Sequence, residues 1–164
     1  MRLPKDDIYY DPIHLGFSQL DVDEFAAAAH TFETLVHNPV YEREPLVFYG
    51  FATALFRLQD EQETLSLDTL KPIIEAYKHS LNLDPDFADT HLILGLAYMK
   101  KAFFLREMLI RTPNHERLRH AVFHNVGMAE HCFQEAERIN RQFSWITGRH
   151  LDTARKFREH TDAI

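Results

Sequence analysis

Histidines are the residues of this chain whose spacing most directly suggests chemistry. The 164 residues include 11 histidines. His120, His124 and His131 fall within roughly 40° of one another if this segment is a helix that turns about 100° per residue. Two imidazoles four residues apart on a helix can chelate zinc or nickel. The apolar stripe of the same helix lies on the opposite side and comprises Val122, Phe123, Val126, Ala129 and Phe133. The pattern favours a solvated polar face over a metal site, so we expect no metal and no cofactor.

Nucleophiles and paired acids are present but stand in positions that do not favour catalysis. Cys132 is the one cysteine, and its neighbour His131 points about 100° away on a helix, so the two cannot act as a pair. The serines lack a turn motif such as GxSxG that would expose a nucleophile. Asp84 and Asp86 fall at a predicted helix end, where carboxylates cap backbone N–H groups. The sequence therefore predicts a protein that is not an enzyme.

Composition argues against nucleic acid and membrane partners. Lys and Arg number 18 against 25 Asp and Glu, a net charge of -7. A protein that neutralises phosphates needs a basic face. The arginines of the C-terminal third alternate with glutamates at helical spacing, which is typical of solvated ion pairs. No apolar run approaches the roughly 18 residues that could span a membrane. The sequence predicts no nucleic-acid binding, no membrane insertion and a cytoplasmic location.

The stretch from Leu70 to Ala102 orders large and small apolar residues as two consecutive helices of a repeat protein do. The end of its first helix supplies Tyr77, Ser80, Leu81 and Pro85, and the next helix supplies Phe87, Ala88, Leu94, Gly95, Ala97 and Tyr98. In this order the stretch resembles the junction between two tetratricopeptide repeats, units of about 34 residues that each form a helix-turn-helix. His91 stands where the family prefers tryptophan. The resemblance implies an all-α fold, a tetratricopeptide-type array of helix pairs in a right-handed superhelix.

A similar order of large and small apolar residues lies upstream of this stretch. Asp23 to Pro39 resembles a second helix of the repeat, with Phe32 and Leu35 as packing residues, and Glu44 to Leu58 resembles the following first helix. Gly50 and Gly95, 45 residues apart, occupy matching positions where the family packs helices closely. Because the repeat is about 34 residues long, the excess is assigned to Gln59 to Asp68, predicted to be an exposed acidic insertion between helices.

A weaker third copy completes the array. Phe133, Ala136 and Phe143 align with Tyr77, Ser80 and Phe87. The additional residues of this unit predict two long helices, from about Phe87 to Arg111 and from about His115 to Asn140, joined at Thr112-Pro113-Asn114. The chain is thus interpreted as a single domain over residues 1–164, with an arm or truncated helix over 1–20, repeat units over 21–143 and a capping helix over 144–164. Pro45 and Pro72 are each predicted to lie in the first turn of a helix.

The ligand surface follows from the resemblance. In tetratricopeptide arrays the first helices line a concave groove, and their outward residues select the ligand. The aligned positions here are Glu44, Val47, Phe51, Ala54 and Leu55 in one unit and Asp89, Leu92, Leu96, Met99 and Lys100 in the next. Family members that clamp a C-terminal carboxylate use Lys and Asn in this region, whereas these residues are mostly apolar. The sequence therefore predicts a groove for an extended or helical segment with apolar anchors and basic flanks.

Several functional interpretations remain open at this point. The first is a peptide-binding adaptor or chaperone. Within it, the size, acidity and three-unit layout look similar to the class II chaperones of type III secretion, which hold translocator proteins in an apolar groove. The second is a structural scaffold that assembles into a homodimer or larger stack through its own apolar faces. A further alternative is that a terminal segment of the chain folds into the groove and fills it.

Overall fold

The computed structural model describes residues 11–164. Within this range the chain forms seven α-helices and no strand. The helices are α1 (Pro12–Asp21), α2 (Phe25–Val36), α3 (Pro45–Glu61), α4 (Leu67–Leu83), α5 (Ala88–Arg111), α6 (Glu116–Ile139) and α7 (Ser144–Asp162). Short 3₁₀ turns at Pro39–Tyr41 and Arg141–Phe143 precede α3 and α7. The all-α prediction is confirmed for these residues. α1 covers the second half of the segment that was predicted as an arm or truncated helix, and residues 1–10 of that segment lie outside the described range.

The two long helices agree with their prediction. α5 and α6 have 24 residues each and are joined across Thr112, Pro113 and Asn114. They form the most extensive helix pair of the molecule. Every other helix also packs chiefly against its neighbours along the chain, and α1 touches α3 as α5 touches α7. The molecule is therefore a helical array in which each pair of neighbouring helices packs against the next pair. None of the helices within residues 11–164 combines the length and the apolar character needed to cross a membrane.

The connection between α3 and α4 is shorter than predicted. α3 continues to Glu61 and α4 begins at Leu67, so much of the proposed insertion from Gln59 to Asp68 is helical. Its acidic residues are good helix formers or caps, and no Gly or Pro interrupts them. Ser66 and Thr69 form a capping box, in which Ser66 N–H donates to Thr69 Oγ1 at 2.9 Å and Thr69 N–H donates to Ser66 Oγ at 3.3 Å. The insertion is therefore a tight five-residue turn between two lengthened helices.

The proline predictions have opposite outcomes. Pro45 occupies the first turn of α3, where the missing N–H costs nothing. Pro72 lies inside α4 rather than in its first turn. The capping box starts α4 a full turn earlier than the proline position implied. The Asp68 carbonyl loses its helical partner as a result, but both residues are exposed, so water can hydrate it.

One aromatic ring from each of α2, α4 and α6 forms the centre of the core. Phe32 of α2, Tyr77 of α4 and Phe133 of α6 are fully buried and are the three largest such side chains. Tyr77 and Phe133, which were aligned from the sequence, are thus both buried core residues. Gly16 and Gly50 both approach Phe32 so closely that neither has room for a Cβ atom. A Cβ at Gly95 would lie 2.5 Å from Phe133 Cε1. The close helix packing predicted at Gly50 and Gly95 is therefore observed.

The aligned glycines nevertheless face different neighbours. Gly50 of α3 packs back against α2 through Phe32, whereas Gly95 of α5 packs forward against α6 through Phe133. α3 and α5 are therefore rotated differently about their axes relative to the helices around them. This difference decides which of their residues reach the same surface.

Candidate binding surface

An open apolar cleft lies where α3, α5 and α7 meet. Its volume is about 360 Å³. It is lined by Phe56 of α3, by Leu96, Met99, Lys100 and Phe103 of α5, and by Thr153 and Phe157 of α7. Phe103 is 48% exposed despite its large apolar ring. An apolar depression of this kind, bordered by a few charged groups, is typical of surfaces that bind another molecule.

The cleft exists because α5 is apolar around most of its circumference. One side of the helix is buried in the core and includes Leu94, Ala97, Ala102, Leu105 and Leu109. Another side carries Leu96, Met99 and Phe103 at intervals of three and four residues, so these side chains line up along the helix. Ile110, 47% exposed, continues the row two turns beyond Phe103. We call these four residues the outer row of α5. A helix that is apolar all round is normally covered on every side, and this row is only partly covered.

Aromatic side chains from two other helices form the walls. Phe56 comes from α3 and Phe157 from α7. The guanidinium carbon of Arg106 lies 5.3 Å from the centroid of the Phe157 ring, within range of a cation–π interaction. Arg106 thus stands beside the cleft, one helical turn from Phe103.

Lys100 carries the charge at the α3 side of the cleft. Its Nζ lies 3.1 Å from Asp60 Oδ1. Both side chains are about half exposed, so water and salt screen the pair and its contribution to stability is small. Asp60 nevertheless places an opposite charge beside the lysine, so a bound molecule meets a paired cation there.

The structure brings together three of the residues predicted from sequence. Leu96, Met99 and Lys100 all line the cleft. All three belong to α5, which lies in the stretch from Leu70 to Ala102 that carried the repeat resemblance. Asp89, also assigned to this surface, is exposed in the first turn of α5, away from the cleft lining.

Val47, Ala54 and Leu92 lie in the core instead. Val47 and Ala54 are fully buried in a cluster with Phe32 of α2. Leu92 is 9% exposed and belongs to the cluster around Tyr77. Buried side chains present no surface to a ligand in this conformation. These positions therefore stabilise the fold and contribute nothing to the cleft.

The remaining α3 residues assigned to the groove do not reach the cleft either. Phe51 and Leu55 are partly buried and pack against the α2–α3 cluster. Glu44 caps α3, where its carboxylate accepts a hydrogen bond from Leu46 N–H at 3.4 Å. The physical reason is the rotation described above. Because Gly50 faces α2 and Gly95 faces α6, Phe51 and Leu96, which follow these glycines, point to different surfaces.

Four lining residues were not predicted, namely Phe56, Phe103, Thr153 and Phe157. Phe103 could have been identified, since it follows Leu96 by seven residues and two helical turns bring them to the same side. Predicting Phe56 would have required knowledge of the rotation of α3 about its axis, which a sequence alignment does not contain. Thr153 and Phe157 required the path of α7 back towards α5. Both the rotation of α3 and the path of α7 are set by tertiary packing and leave no local signal in the sequence.

The histidine stripe and Cys132 lie away from this cleft. His120, His124 and His131 are exposed on α6, as the position of the apolar stripe predicted. Within residues 11–164 no three His, Cys, Asp or Glu side chains converge closely enough to hold a metal ion. Cys132 is buried, and desolvation, reinforced by Glu135, raises the pKa of its thiol to about 12. The thiol is therefore protonated at neutral pH and is a poor nucleophile.

A second, polar depression lies at the junction of α6 and α7. Its volume is about 530 Å³, and it is lined by Gln134, Glu137, Arg138, Arg141 and Ser144. Arg138 Nε lies 2.9 Å from Glu135 and its Nη2 lies 3.5 Å from Asp86. This is one of the exposed ion pairs that the alternating charges predicted. The apolar cleft is the better candidate for recognition, because the other residues between 11 and 164 leave the Phe103 ring half exposed.

Comparison with known proteins adds no relative to this description. A scan against protein-family models and a search of curated proteins found no match to the chain.

Proposed function

We propose that this protein is a non-enzymatic interaction module that binds a segment of another protein in the cleft between α3, α5 and α7. One observation carries the proposal: the outer row of α5 is exposed in part between two aromatic walls. An apolar segment placed there would remove the Phe103 ring from water, and burial of apolar surface is the main driving force of such association.

The proposal includes a tetratricopeptide-type superhelix. Its support is the recurrence of one fully buried aromatic ring in each of α2, α4 and α6, together with glycines that approach two of these rings. The cleft then lies on the side formed by the first helices of successive pairs, α3 and α5, and by α7. This is the side that the family uses for ligands.

An adaptor or chaperone-like role fits the lining best. Six of its seven residues contribute aromatic, aliphatic or thioether carbon or a methyl group, and Lys100 is neutralised by Asp60. A cleft of this chemistry recognises apolar anchors of a peptide rather than a small polar substrate. α7 forms one wall but leaves the cleft open. A role like that of the class II chaperones of type III secretion is a narrower version of the same proposal.

The test compares two exposed aromatic residues. Phe103→Ser removes the central side chain of the cleft, whereas Trp145→Ser removes an aromatic side chain that is 67% exposed and lies outside it. Proteins captured from an extract of the source cells by each immobilised full-length variant are quantified by mass spectrometry. We expect a captured protein that is retained by Trp145→Ser and lost with Phe103→Ser. Capture that is equal for both variants would contradict the proposal.

Light scattering coupled to size-exclusion chromatography addresses the self-assembly alternative. A concentration-dependent dimer that disappears in Phe103→Ser but persists in Trp145→Ser would assign the cleft to a second copy of this chain. A monomer at all concentrations would remove the scaffold alternative.

A further inference from the structure

Arg106 is a cation beside the cleft that has no anionic partner among residues 11–164. Among residues 11–164 it takes part in none of the ion pairs. Its Nε is buried and has no hydrogen-bond acceptor. A guanidinium carries five donors and cannot lose its charge. A ligand cannot reach the buried Nε in this conformation, so the donors left for it are the two terminal nitrogens, which make no hydrogen bond within residues 11–164.

The position of the guanidinium is fixed by its neighbours. It lies over the ring of Phe157, 5.3 Å from the centroid, and Phe157 is itself part of the cleft wall. The contact with the ring fixes where the guanidinium lies, and its two terminal nitrogens stay without a hydrogen-bond partner within residues 11–164. This arrangement suits a carboxylate, which matches the guanidinium fork with two parallel bonds.

Charge complementarity points the same way. The two cations that border the cleft differ, because Lys100 is paired with Asp60 and Arg106 is not. Glu107, the next residue, lines a separate depression with Leu65 and Met108. A segment that enters the cleft beside Phe103 and Phe157 therefore meets a guanidinium that has no carboxylate partner among residues 11–164. An acidic group on the ligand is attracted there, and a basic group is repelled.

The outer row of α5 indicates where this acidic group lies in the ligand. Arg106 stands between Phe103 and Ile110, and Ile110 continues the exposed apolar row beyond it. A segment that follows the row passes Arg106 before it ends. The complementary carboxylate is thus that of an internal Asp or Glu side chain rather than of a chain terminus.

We infer that the protein segment bound in the cleft carries an aspartate or glutamate about one helical turn from its apolar anchor, and that this carboxylate pairs with Arg106. The inference rests on the proposed function and differs from the expectation of basic flanks on the ligand. It makes Arg106 a determinant of specificity, while Phe103 supplies the apolar contact.

The probe is a random peptide library displayed on phage and selected against the full-length protein. Selected peptides are counter-screened against Phe103→Ser to retain those that use the cleft. We expect the retained sequences to share an acidic residue near an aromatic or large aliphatic residue. One such peptide is then synthesised with its acidic residue intact and with the matching amide, Glu→Gln or Asp→Asn.

A double-mutant cycle measures the pairing itself. The affinities of both peptides are determined for the parent protein and for Arg106→Gln, and the cycle isolates the coupling between the two groups. A charge-assisted hydrogen bond predicts a coupling of about tenfold or more in affinity. Arg149→Gln is the matched control, because Arg149 is an exposed arginine of α7 outside the ion pairs and the cleft. Circular dichroism confirms that each variant keeps the helical content of the parent.

The outcomes separate the two proposals. Coupling with Arg106 and none with Arg149 supports the inference. Peptides that depend on Phe103 but show no coupling to Arg106, or that lack acidic residues, overturn the inference and leave the proposed function intact. A selection that yields no peptide dependent on Phe103 overturns both.

Discussion

Glycine and phenylalanine act as matched pairs in the core of this protein. Gly95→Ala would place a Cβ 2.5 Å from Phe133 Cε1, and the fully buried ring has little room to move. We expect a loss of about 1–3 kcal/mol in the free energy of unfolding, since overpacking forces side chains and backbone to shift. Denaturant titration measures the loss.

Gly127 of α6 provides the matched control. A Cβ there would meet no atom within 4 Å. Gly127→Ala should therefore stabilise the protein by about 0.5–1 kcal/mol, because alanine loses less backbone entropy in a helix. Equal effects at Gly95 and Gly127 would show that Phe133 does not restrict α5.

Val47 and Phe103 separate a core residue from a surface residue. Val47 is fully buried, so Val47→Ala should lower the free energy of unfolding by about 1–3 kcal/mol through lost burial and a cavity. Phe103→Ser should change it by only about 0.5 kcal/mol, as ordinary surface substitutions do. Thermal and denaturant unfolding of both variants test this assignment. A reversed order of the two losses would place Val47 at the surface and restore the groove predicted from sequence.

At the scale of the element, the packing of α7 includes one contact, that of His150 with Phe133, whose stability depends on pH. His150 stacks on Phe133, with ring centroids 5.0 Å apart, and burial lowers the pKa of its imidazole below the ordinary value. Above a pH of about 6.5 the imidazole is neutral in the folded and the unfolded chain, so it has no effect on stability. As the pH falls below that value, the unfolded chain binds the proton more readily and the folded state loses stability.

His150→Phe tests this dependence, since it keeps an aromatic ring against Phe133 and removes the titration. We expect the free energy of unfolding of the parent to fall more than that of the variant between about pH 7.5 and about pH 5.5. The difference between the two proteins isolates this histidine from the carboxylates that also titrate. Parallel curves would mean that protonated His150 is fully solvated in the folded protein.

The elements themselves could largely be predicted from sequence, whereas their rotation could not. The spacing of apolar residues and Thr112-Pro113-Asn114 were sufficient for α5 and α6, because a long amphipathic period and a helix stop are local signals. The polar stretch after Leu58 was misleading, since acidic residues continue a helix as readily as they form a loop. Of the α5 residues that line the cleft, Leu96, Met99 and Lys100 were predicted and Phe103 was not. The α3 half of the cleft was not predicted, because which neighbour a glycine faces is decided by packing.

At the scale of the whole molecule, stability should decrease towards the C-terminal helix. α5 contributes ten buried residues to the core, whereas α7 contributes only Thr147, Ala154 and Thr161. Polar contacts hold much of α7 in place, such as the hydrogen bond from Thr147 Oγ1 to Glu137 at 3.0 Å and the ion pair of Arg158 with Glu130.

Hydrogen exchange followed by mass spectrometry measures this gradient. The amides of α7 should exchange well before those of α5, because α7 can detach in a local opening that leaves the other helices packed. Simultaneous exchange of α5 and α7 would instead show that the array opens as one cooperative unit.

Each helix packs chiefly against its neighbours along the chain, and this order of contacts also affects how fast the chain can fold. Nearly every tertiary contact joins segments that are adjacent along the chain. Little loop-closure entropy is lost before these contacts form, and chains with low contact order fold quickly. Folding can therefore start at any helix pair, and the longest pair, α5 with α6, buries the most surface early. On a ribosome this pair emerges only after α1 to α4, so those four helices can pack with one another before α5 and α6 are available.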